Sequence, residues 1–397
     1  MNRSLIAPAG LLAVLVSVAG VTAAENPSDR VSLWDERVPY PSRESLSHPR
    51  GATDVMVHRA SGKYNFLHDA NIVAHKGKLL AAWYNCPQGE MVGESVIRGR
   101  WSTDGGQTWS DVEVIADRHN GRWGDQKGIM YVPIALRSYR DALYGFVTNM
   151  KHGPDLVHKC EVFALDDQTG AWASRGFIAG PFLPNCPPQA MEDGNFIMAG
   201  RMAETPDQKP LIPAVAISAA DAFTKPWTVH RLLPRGEFPD GRTMTCPETT
   251  VFVEGKEITA LVRHTAGNSL VVFSHDFGRS WSKPHRHNIP MKNSKIWAGR
   301  LSTGQRYLIF NYHPADGRDL LVVAVTARGE KLFSRMWKIR EGYCKALRAG
   351  PEWSYPCATE HESKLYVVYT SEKHHCALTT IPVTSLAGDL HQVPAGQ

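Results

Sequence analysis

Two stretches of the sequence carry nearly the same eight residues, "STDGGQTW" at 102–109 and "SHDFGRSW" at 274–281. Asp104 and Asp276 can accept hydrogen bonds from the backbone N–H groups that follow them, and the glycine two residues later can adopt a positive φ. The final Trp can cap an apolar interior. This composition is typical of a structural turn. A cation-binding or sugar-binding role for the two Asp residues is the alternative.

A repeated strand pattern also organises the rest of the chain. Six segments, starting at residues 68, 128, 185, 245, 295 and 354, each place two runs rich in Val, Ile, Leu, Tyr and Phe around a polar turn. Each segment is typical of a β-hairpin, further short strands lie between them, and helical periodicity is almost absent. The pattern predicts an all-β protein, a six-bladed β-propeller. A two-sheet sandwich of similar strand content is the alternative.

The two ends of the chain are expected to close the ring. After residue 354 the sequence is long enough for three strands, whereas the segment from Val31 to Ala60 has no hairpin of its own. We predict that this N-terminal segment supplies the outer strand of the last blade, which removes an exposed sheet edge. The expected organisation is a single propeller domain over residues 25–397.

Residues 1–24 have one Arg, an apolar run and small residues before Glu25. This pattern predicts a cleaved secretory signal peptide, with an uncleaved anchor as the alternative. We therefore expect a secreted protein, extracellular or periplasmic, without stable membrane insertion. We also expect a monomer.

The charge and cysteine patterns narrow the range of partners. The net charge of +5 is spread without runs of Lys or Arg, so no nucleic-acid partner is expected. The seven cysteines form no CxxC pairs and no short clusters with His, so no metal or other cofactor is expected. Some of the cysteines can pair in an oxidising compartment, but their odd number leaves at least one free.

The repeated turn resembles the Asp-box, or bacterial neuraminidase repeat, of the exo-alpha-sialidase (neuraminidase) superfamily. In that family the box lies on blade edges, away from the active site. The motif also occurs in other carbohydrate-active propellers and in non-enzymatic ones. The resemblance therefore implies the architecture strongly and the activity weakly.

Further segments resemble the sialidase active site. Innermost propeller strands converge on the axis, so the hairpin starts should line one cavity and bring His68, Glu248 and Tyr355 together. "CPETTVFVEGKEITALVR" is similar to the segment in which a Glu activates the nucleophilic Tyr and an Arg holds the substrate carboxylate, here Glu248 and Arg263. "HPADGRDLLVVAV" resembles the stretch with another carboxylate-binding Arg, here Arg318, and "WSYPCATEHESKLYVVYT" resembles the nucleophile strand, here Tyr355.

The chemistry of an acidic sugar suits these residue types. A sialic acid carries a carboxylate on its anomeric carbon, so a carboxylate nucleophile would meet like charge, whereas a neutral phenol can approach and lose its proton to Glu248. The planar Arg guanidinium donates two parallel hydrogen bonds to a carboxylate. Structural alternatives remain: a cross-strand ion pair for Glu248 and Arg263, a core aromatic for Tyr355 and a solvated loop residue for Arg318.

Two positions depart from the family pattern. His68 stands where the first Arg of the carboxylate triad is usual, and a His binds a carboxylate only when protonated. With Asp69 it could instead act as an oriented base, or it could be structural. Glu90 aligns with the acid/base Asp, and its extra methylene changes its reach. Arg201 and Arg300 lie near hairpin ends, where they could bind substrate or stabilise blade contacts.

The resemblance thus implies a retaining exo-glycosidase that releases a terminal acidic sugar from a glycan or glycoconjugate. The roles it implies are nucleophile for Tyr355, base for Glu248, acid/base for Glu90, and a carboxylate clamp of Arg263, Arg318 and His68. One alternative is a polysaccharide lyase or hydrolase that acts on uronic-acid glycans on the same propeller. Another is a non-catalytic glycan-binding propeller, which the missing first Arg favours.

Overall fold

A computed structural model of the protein describes residues 30–387 except 125, 152, 154, 235–244, 265–266, 314–316 and 343–351. Six sheets form the blades of a six-bladed β-propeller with almost no helix, so the predicted fold class is confirmed. The predicted signal peptide and Cys344 lie outside the described residues. The six described cysteines are free thiols. Within the described part of the chain, no helix is long and apolar enough to cross a membrane.

The strands follow one another from blade to blade. The N-terminal segment contains β1 (Arg30–Val31) and β2 (Thr53–Arg59). The first blade contains β3 (Phe66–His75), β4 (Lys78–Cys86), β5 (Val96–Ser102) and β6 (Glu113–Ala116). The second contains β7 (Met130–Tyr139), β8 (Ala142–Met150), β9 (Val157–Asp166) and β10 (Ala171–Ala179). The third contains β11 (Phe182–Pro184), β12 (Gln189–Ala190), β13 (Phe196–Met202), β14 (Ile212–Ile217) and β15 (Thr228–Arg231).

The second half of the chain completes the ring. The fourth blade contains β16 (Thr249–Glu254), β17 (Glu257–His264) and β18 (Gly267–Ser274), and β19 (Arg286–His287) follows it. The fifth contains β20 (Trp297–Arg300), β21 (Arg306–Asn311), β22 (Leu320–Thr326) and β23 (Phe333–Glu341). The sixth contains β24 (Trp353–His361), β25 (Lys364–Ser371) and β26 (His375–Pro382), and the short helix α1 (Val383–Ala387) follows.

The N-terminal segment closes the ring as predicted. Strand β2 pairs antiparallel with β26, from Thr53 opposite Thr380 to Arg59 opposite His375, and so becomes the outer strand of the sixth blade. Strand β3 of the first blade packs against β24 of the sixth. The outer edge of β26 thereby gains a neighbouring strand instead of facing solvent.

The fourth blade departs from the four-stranded pattern, because its sheet contains only three described strands. His285 exchanges two backbone hydrogen bonds with Val271 of β18, at 2.8 and 2.9 Å, but the pairing goes no further. Pro284 precedes it and has no N–H to donate to a ladder. The chain then turns away, and β19 pairs in parallel with β1.

The two repeated turns are equivalent in the structure. Ser102 ends β5 and Ser274 ends β18, each the third strand of its blade. In both turns the Ser hydroxyl donates to the Asp carboxylate at 2.8 Å and accepts the glycine N–H at 2.8 Å. Asp104 and Asp276 each accept a further backbone N–H at 2.9 Å from the residue four positions on. These Ser and Asp bonds are all local, which agrees with a structural turn.

Strand pairing separates these turns from the hairpin starts. Ser102 lies opposite Leu79, beside the turn of the first hairpin, and Ser274 lies opposite Ile258, beside the turn of the fourth. His68, by contrast, lies opposite Tyr84, at the other end of β4. The repeated turns therefore occupy the end of the propeller opposite the hairpin starts.

Candidate functional site

Two β-bulges shape the site end of the innermost strands. The pairing of β3 with β4 is interrupted around Asp69, and that of β24 with β25 around Tyr355. Both residues adopt a left-handed backbone, with φ of 52° and 57°. Such a conformation strains a residue with a side chain, and bulges commonly redirect side chains beside active sites. The bulges thus position Asp69, which is buried, and Tyr355, which is partly exposed.

Tyr355, Glu248 and Arg263 form a compact hydrogen-bonded triangle. The Tyr355 hydroxyl donates to Glu248 Oε1 at 2.8 Å. Arg263 Nη1 donates to Glu248 Oε2 at 2.6 Å and to the Tyr355 hydroxyl oxygen at 2.9 Å. Glu248 is 4% exposed and Arg263 is 8% exposed, so this ion pair lies away from bulk water, whereas Tyr355 is partly exposed. The fold therefore brings Tyr355 to Glu248 and Arg263, which precede it in the sequence by 107 and 92 residues.

The charges in the triangle set its protonation state. Burial and the Glu248 carboxylate raise the pKa of the Tyr355 phenol well above its ordinary value, which Arg263 only partly offsets. Burial alone would raise the pKa of Glu248, but the Arg263 and Arg201 guanidinium groups hold it below the ordinary value. At neutral pH the phenol keeps its proton while the carboxylate beside it is ionised. This is the state from which a base can activate a nucleophile.

Arg318 also lies beside Tyr355 and belongs to the same cluster. Its guanidinium carbon is 5.6 Å from the centre of the Tyr355 ring, and Nη1 donates to Glu352 at 2.6 Å. Asn293 links the two arginines, because its side-chain oxygen accepts Arg263 Nε at 2.5 Å and its backbone oxygen accepts Arg318 Nη2 at 3.1 Å. Both arginines are therefore oriented before any ligand binds.

His68 packs directly against the candidate nucleophile. Its ring centre is 4.0 Å from that of Tyr355, with the planes inclined at 50°. The side chain is 1% exposed, and neither ring nitrogen has a hydrogen-bond partner among the described residues. Burial and the nearby cations, Lys373 foremost, lower the pKa of His68 well below its ordinary value. His68 is thus a neutral imidazole, and it does not supply the positive charge that an Arg would bring to a carboxylate clamp.

Asp69 forms a buried ion pair with Lys295, a residue that no sequence motif had indicated. Lys295 Nζ donates to Asp69 Oδ1 at 2.5 Å, and the two side chains are 2% and 7% exposed. Burial raises the pKa of Asp69, partly offset by Lys295, while Asp69 raises the pKa of Lys295 despite burial. Lys295 is the first residue of the fifth hairpin, so the rule that hairpin starts face the axis could have identified it. Because the Asp69 carboxylate is paired with Lys295, it would meet a substrate only as part of this ion pair.

The remaining predicted site residues lie at different distances from this cluster. Glu90 is at the rim, where it accepts hydrogen bonds from Tyr84 at 3.4 Å and Lys373 at 2.6 Å. Arg201 is buried at the site end of β13 and stabilises the Glu248 carboxylate electrostatically. Arg300 does not join the cluster. It lies beside the turn of the fifth hairpin, half-exposed, and pairs with Glu254.

The comparisons with known proteins agree with the fold. Residues 77–367 match the family model described as a BNR repeat-like domain. No curated protein matches the chain. A Trypanosoma rangeli sialidase, solved with 2,3-difluorosialic acid as a covalent intermediate, is 13% identical with a TM-score of 0.62. The match covers 86% of this chain and 60% of the sialidase, so the chain spans less than two thirds of the length of that enzyme.

Two further structures are similar. A protein of unknown function from Dyadobacter fermentans is 14% identical with a TM-score of 0.61, over 83% of this chain and 99% of its own. A point mutant of NanB sialidase from Streptococcus pneumoniae is 11% identical with a TM-score of 0.58, over 83% of this chain and 71% of its own. At these identities the similarity establishes the sialidase-like fold. Together with the family match, it shows that the chain belongs to the BNR repeat-like domain family of sialidase-like propellers.

Proposed function

We propose that the protein is a retaining exo-glycosidase of sialidase type that releases a terminal acidic sugar from a glycan. Tyr355 is the nucleophile, Glu248 is its base, and Arg263 and Arg318 hold the carboxylate of the sugar. The observation that carries this proposal is the 2.8 Å hydrogen bond from the Tyr355 hydroxyl to the ionised Glu248. A phenol beside an ionised acceptor can transfer its proton as it attacks the anomeric carbon.

Glu90 is the proposed acid/base that protonates the leaving oxygen. It lies at the rim, with its side chain 41% exposed, where the leaving part of a glycan would point to solvent. The predicted leader further suggests that the enzyme acts outside the cytoplasm. The sialidase from Trypanosoma rangeli carries a 2,3-difluorosialic acid covalent intermediate, and an equivalent reagent would test the same step here.

Product analysis tests the proposal. A panel of sialosides, related nonulosonates and uronate glycans is incubated with the wild-type protein, Tyr355→Phe and Glu248→Gln. We expect release of a free acidic sugar with retained configuration by the wild type, at least about a hundredfold loss of kcat in both variants, and little change in ligand affinity. A matching fluorinated sugar should label Tyr355, as read by mass spectrometry.

Tyr366→Phe is the matched control. Tyr366 lies in β25 of the same blade, and its hydroxyl has no hydrogen-bond partner among the described residues, so the change removes one oxygen at little energetic cost. This variant should keep full activity. Unchanged turnover by Tyr355→Phe would refute the assigned nucleophile, and binding of an acidic sugar without turnover of any panel member would refute the glycosidase proposal.

A lyase acting on uronic-acid glycans is the second candidate. It is favoured by the neutral His68, whose two ring nitrogens have no hydrogen-bond partner among the described residues. A neutral imidazole can abstract the proton α to a uronate carboxylate while Arg263 neutralises the charge that develops. The product would be an unsaturated sugar with ultraviolet absorbance, which a hydrolase does not form. His68→Gln would then abolish turnover.

A further inference from the structure

Arg201 occupies in the third blade the place that Arg263 occupies in the fourth. Arg201 lies near the site end of β13, and Arg263 lies near the site end of β17. Each of these strands is the returning strand of its hairpin. Arg201 is 7% exposed and Arg263 is 8% exposed. Arg201 also acts electrostatically on the Glu248 carboxylate that Arg263 binds. Arg201 is thus a second buried guanidinium near the Glu248 carboxylate.

The two arginines differ in how they are satisfied. Arg263 donates hydrogen bonds to Glu248, Tyr355 and Asn293. Arg201 forms no side-chain hydrogen bond or ion pair with any described residue, and its buried Nε has no acceptor there. Burying a guanidinium without acceptors is costly, and the planar group is shaped to bind a carboxylate or a sulfate through two parallel bonds. The arrangement is that of a cation held ready for an anionic ligand.

A cavity of about 280 Å³ adjoins Arg201. Its lining includes Arg201, Lys209, Thr245, Cys246 and Asp155. The two cations outnumber the single carboxylate, so the cavity carries a net positive charge. Its volume is at the lower end for ligand pockets, which suits one sugar residue or a charged substituent.

The cavity adjoins the candidate site along the chain. Cys246 lines the cavity, and its backbone oxygen accepts the N–H of Glu248 at 2.9 Å. A ligand whose sugar ring contacts Glu248 and Tyr355 would therefore extend into the cavity on the Arg201 side. Lys209, which is exposed, can reach the same ligand from the outer edge.

We propose that Arg201, assisted by Lys209, binds a second anionic group of the glycan. The preferred ligand is a sugar with two negative charges, one held by Arg263 and Arg318 and the other, a sulfate ester or a second carboxylate, held by Arg201. This inference rests on the proposed function for the location of the first anionic group, and it adds the charge pattern that the site selects.

Calorimetry in the Tyr355→Phe background tests the inference without turnover. The probes are glucuronic acid, a sulfate ester of glucuronic acid, and galacturonic acid dimer, which distinguish a sulfate from a second carboxylate. We expect at least one dianionic probe to bind about tenfold or more tightly than the monoanion, as one charge-assisted contact predicts. Arg201→Gln should abolish that preference and Arg201→Lys should keep part of it.

The controls separate this inference from folding and from the proposed reaction. Lys209→Gln alters an exposed residue and should weaken the dianionic preference about threefold, even if Arg201→Gln fails to fold. Arg231→Gln, in the outer strand of the same blade and paired with Glu204, should leave the preference unchanged. An equal preference in wild-type and Arg201→Gln proteins, or none for either dianion, would overturn the inference. Absence of turnover in the product analysis would refute the reaction but not these binding results.

Discussion

The buried pair of Lys295 and Asp69 gives a prediction about stability. Two unit charges 2.5 Å apart attract by about 7 kcal/mol at an effective dielectric constant of about 20, and the desolvation of both charges offsets much of this. Lys295→Met removes one partner and leaves a buried carboxylate uncompensated. We expect the free energy of unfolding to fall by about 3–5 kcal/mol. The double variant Asp69→Asn/Lys295→Met should recover about 1–3 kcal/mol of that loss.

Equilibrium unfolding in urea, read by tryptophan fluorescence, measures these changes. Asn is a suitable partner change because it is isosteric with Asp69 and tolerates its φ of 52°. The matched control is Lys76→Met, which removes an ion pair of the same 2.5 Å length to Asp167 where the two side chains are 45% and 38% exposed. That variant should lose no more than about 1 kcal/mol. A loss below about 1 kcal/mol for Lys295→Met, or additive effects in the double variant, would refute this account of the pair.

Three further predictions concern the turns and His68. Gly278 and Gly304 both have a positive φ, +80° and +86°. A Cβ added at Gly278 would lie 2.8 Å from Ile197 Cδ1, whereas a Cβ added at Gly304 would have no described atom within 4 Å. Gly304→Ala should therefore cost about 1–2 kcal/mol in urea unfolding and Gly278→Ala about 1–3 kcal/mol more, and equal costs would contradict the packing argument. Although burial opposes it, hydrogen bonding to Ser280 lowers the pKa of Asp276 to about 2. The ionised Asp276 therefore stabilises the fold fully above its ordinary pKa of 3.8, and this stabilisation is lost as the pH falls towards 2. The Tm of the wild type should exceed that of Asp276→Asn by less and less across that pH interval. A constant difference in Tm would refute this prediction. Nitrogen NMR should show the His68 ring neutral at pH 6.5, and a titration midpoint at or above this pH would contradict its burial among cations.

The sequence by itself determined the architecture of this protein. The hairpins recur every 50 to 60 residues, and the repeated turns align them because the Ser and Asp hydrogen bonds that shape such a turn join residues at most four positions apart. Hydrogen bonds between such close neighbours can be predicted from a single stretch of sequence. The resemblance to sialidase segments also predicted Glu248, Arg263, Arg318 and Tyr355, because each lies in or beside a recognisable strand.

Only the tertiary structure decided which polar residues share the site and in what state of charge. Lys295 and Asp69 are 226 residues apart, and their pairing requires the first and fifth blades to meet at the axis. Arg201 and Arg300 both lie near hairpin ends, yet pairing places one beside Glu248 and the other beside an exposed turn. His68 is neutral because its neighbours and its burial come from other blades. Burial and long-range charge are properties of the assembled ring, so no single segment of sequence contains them.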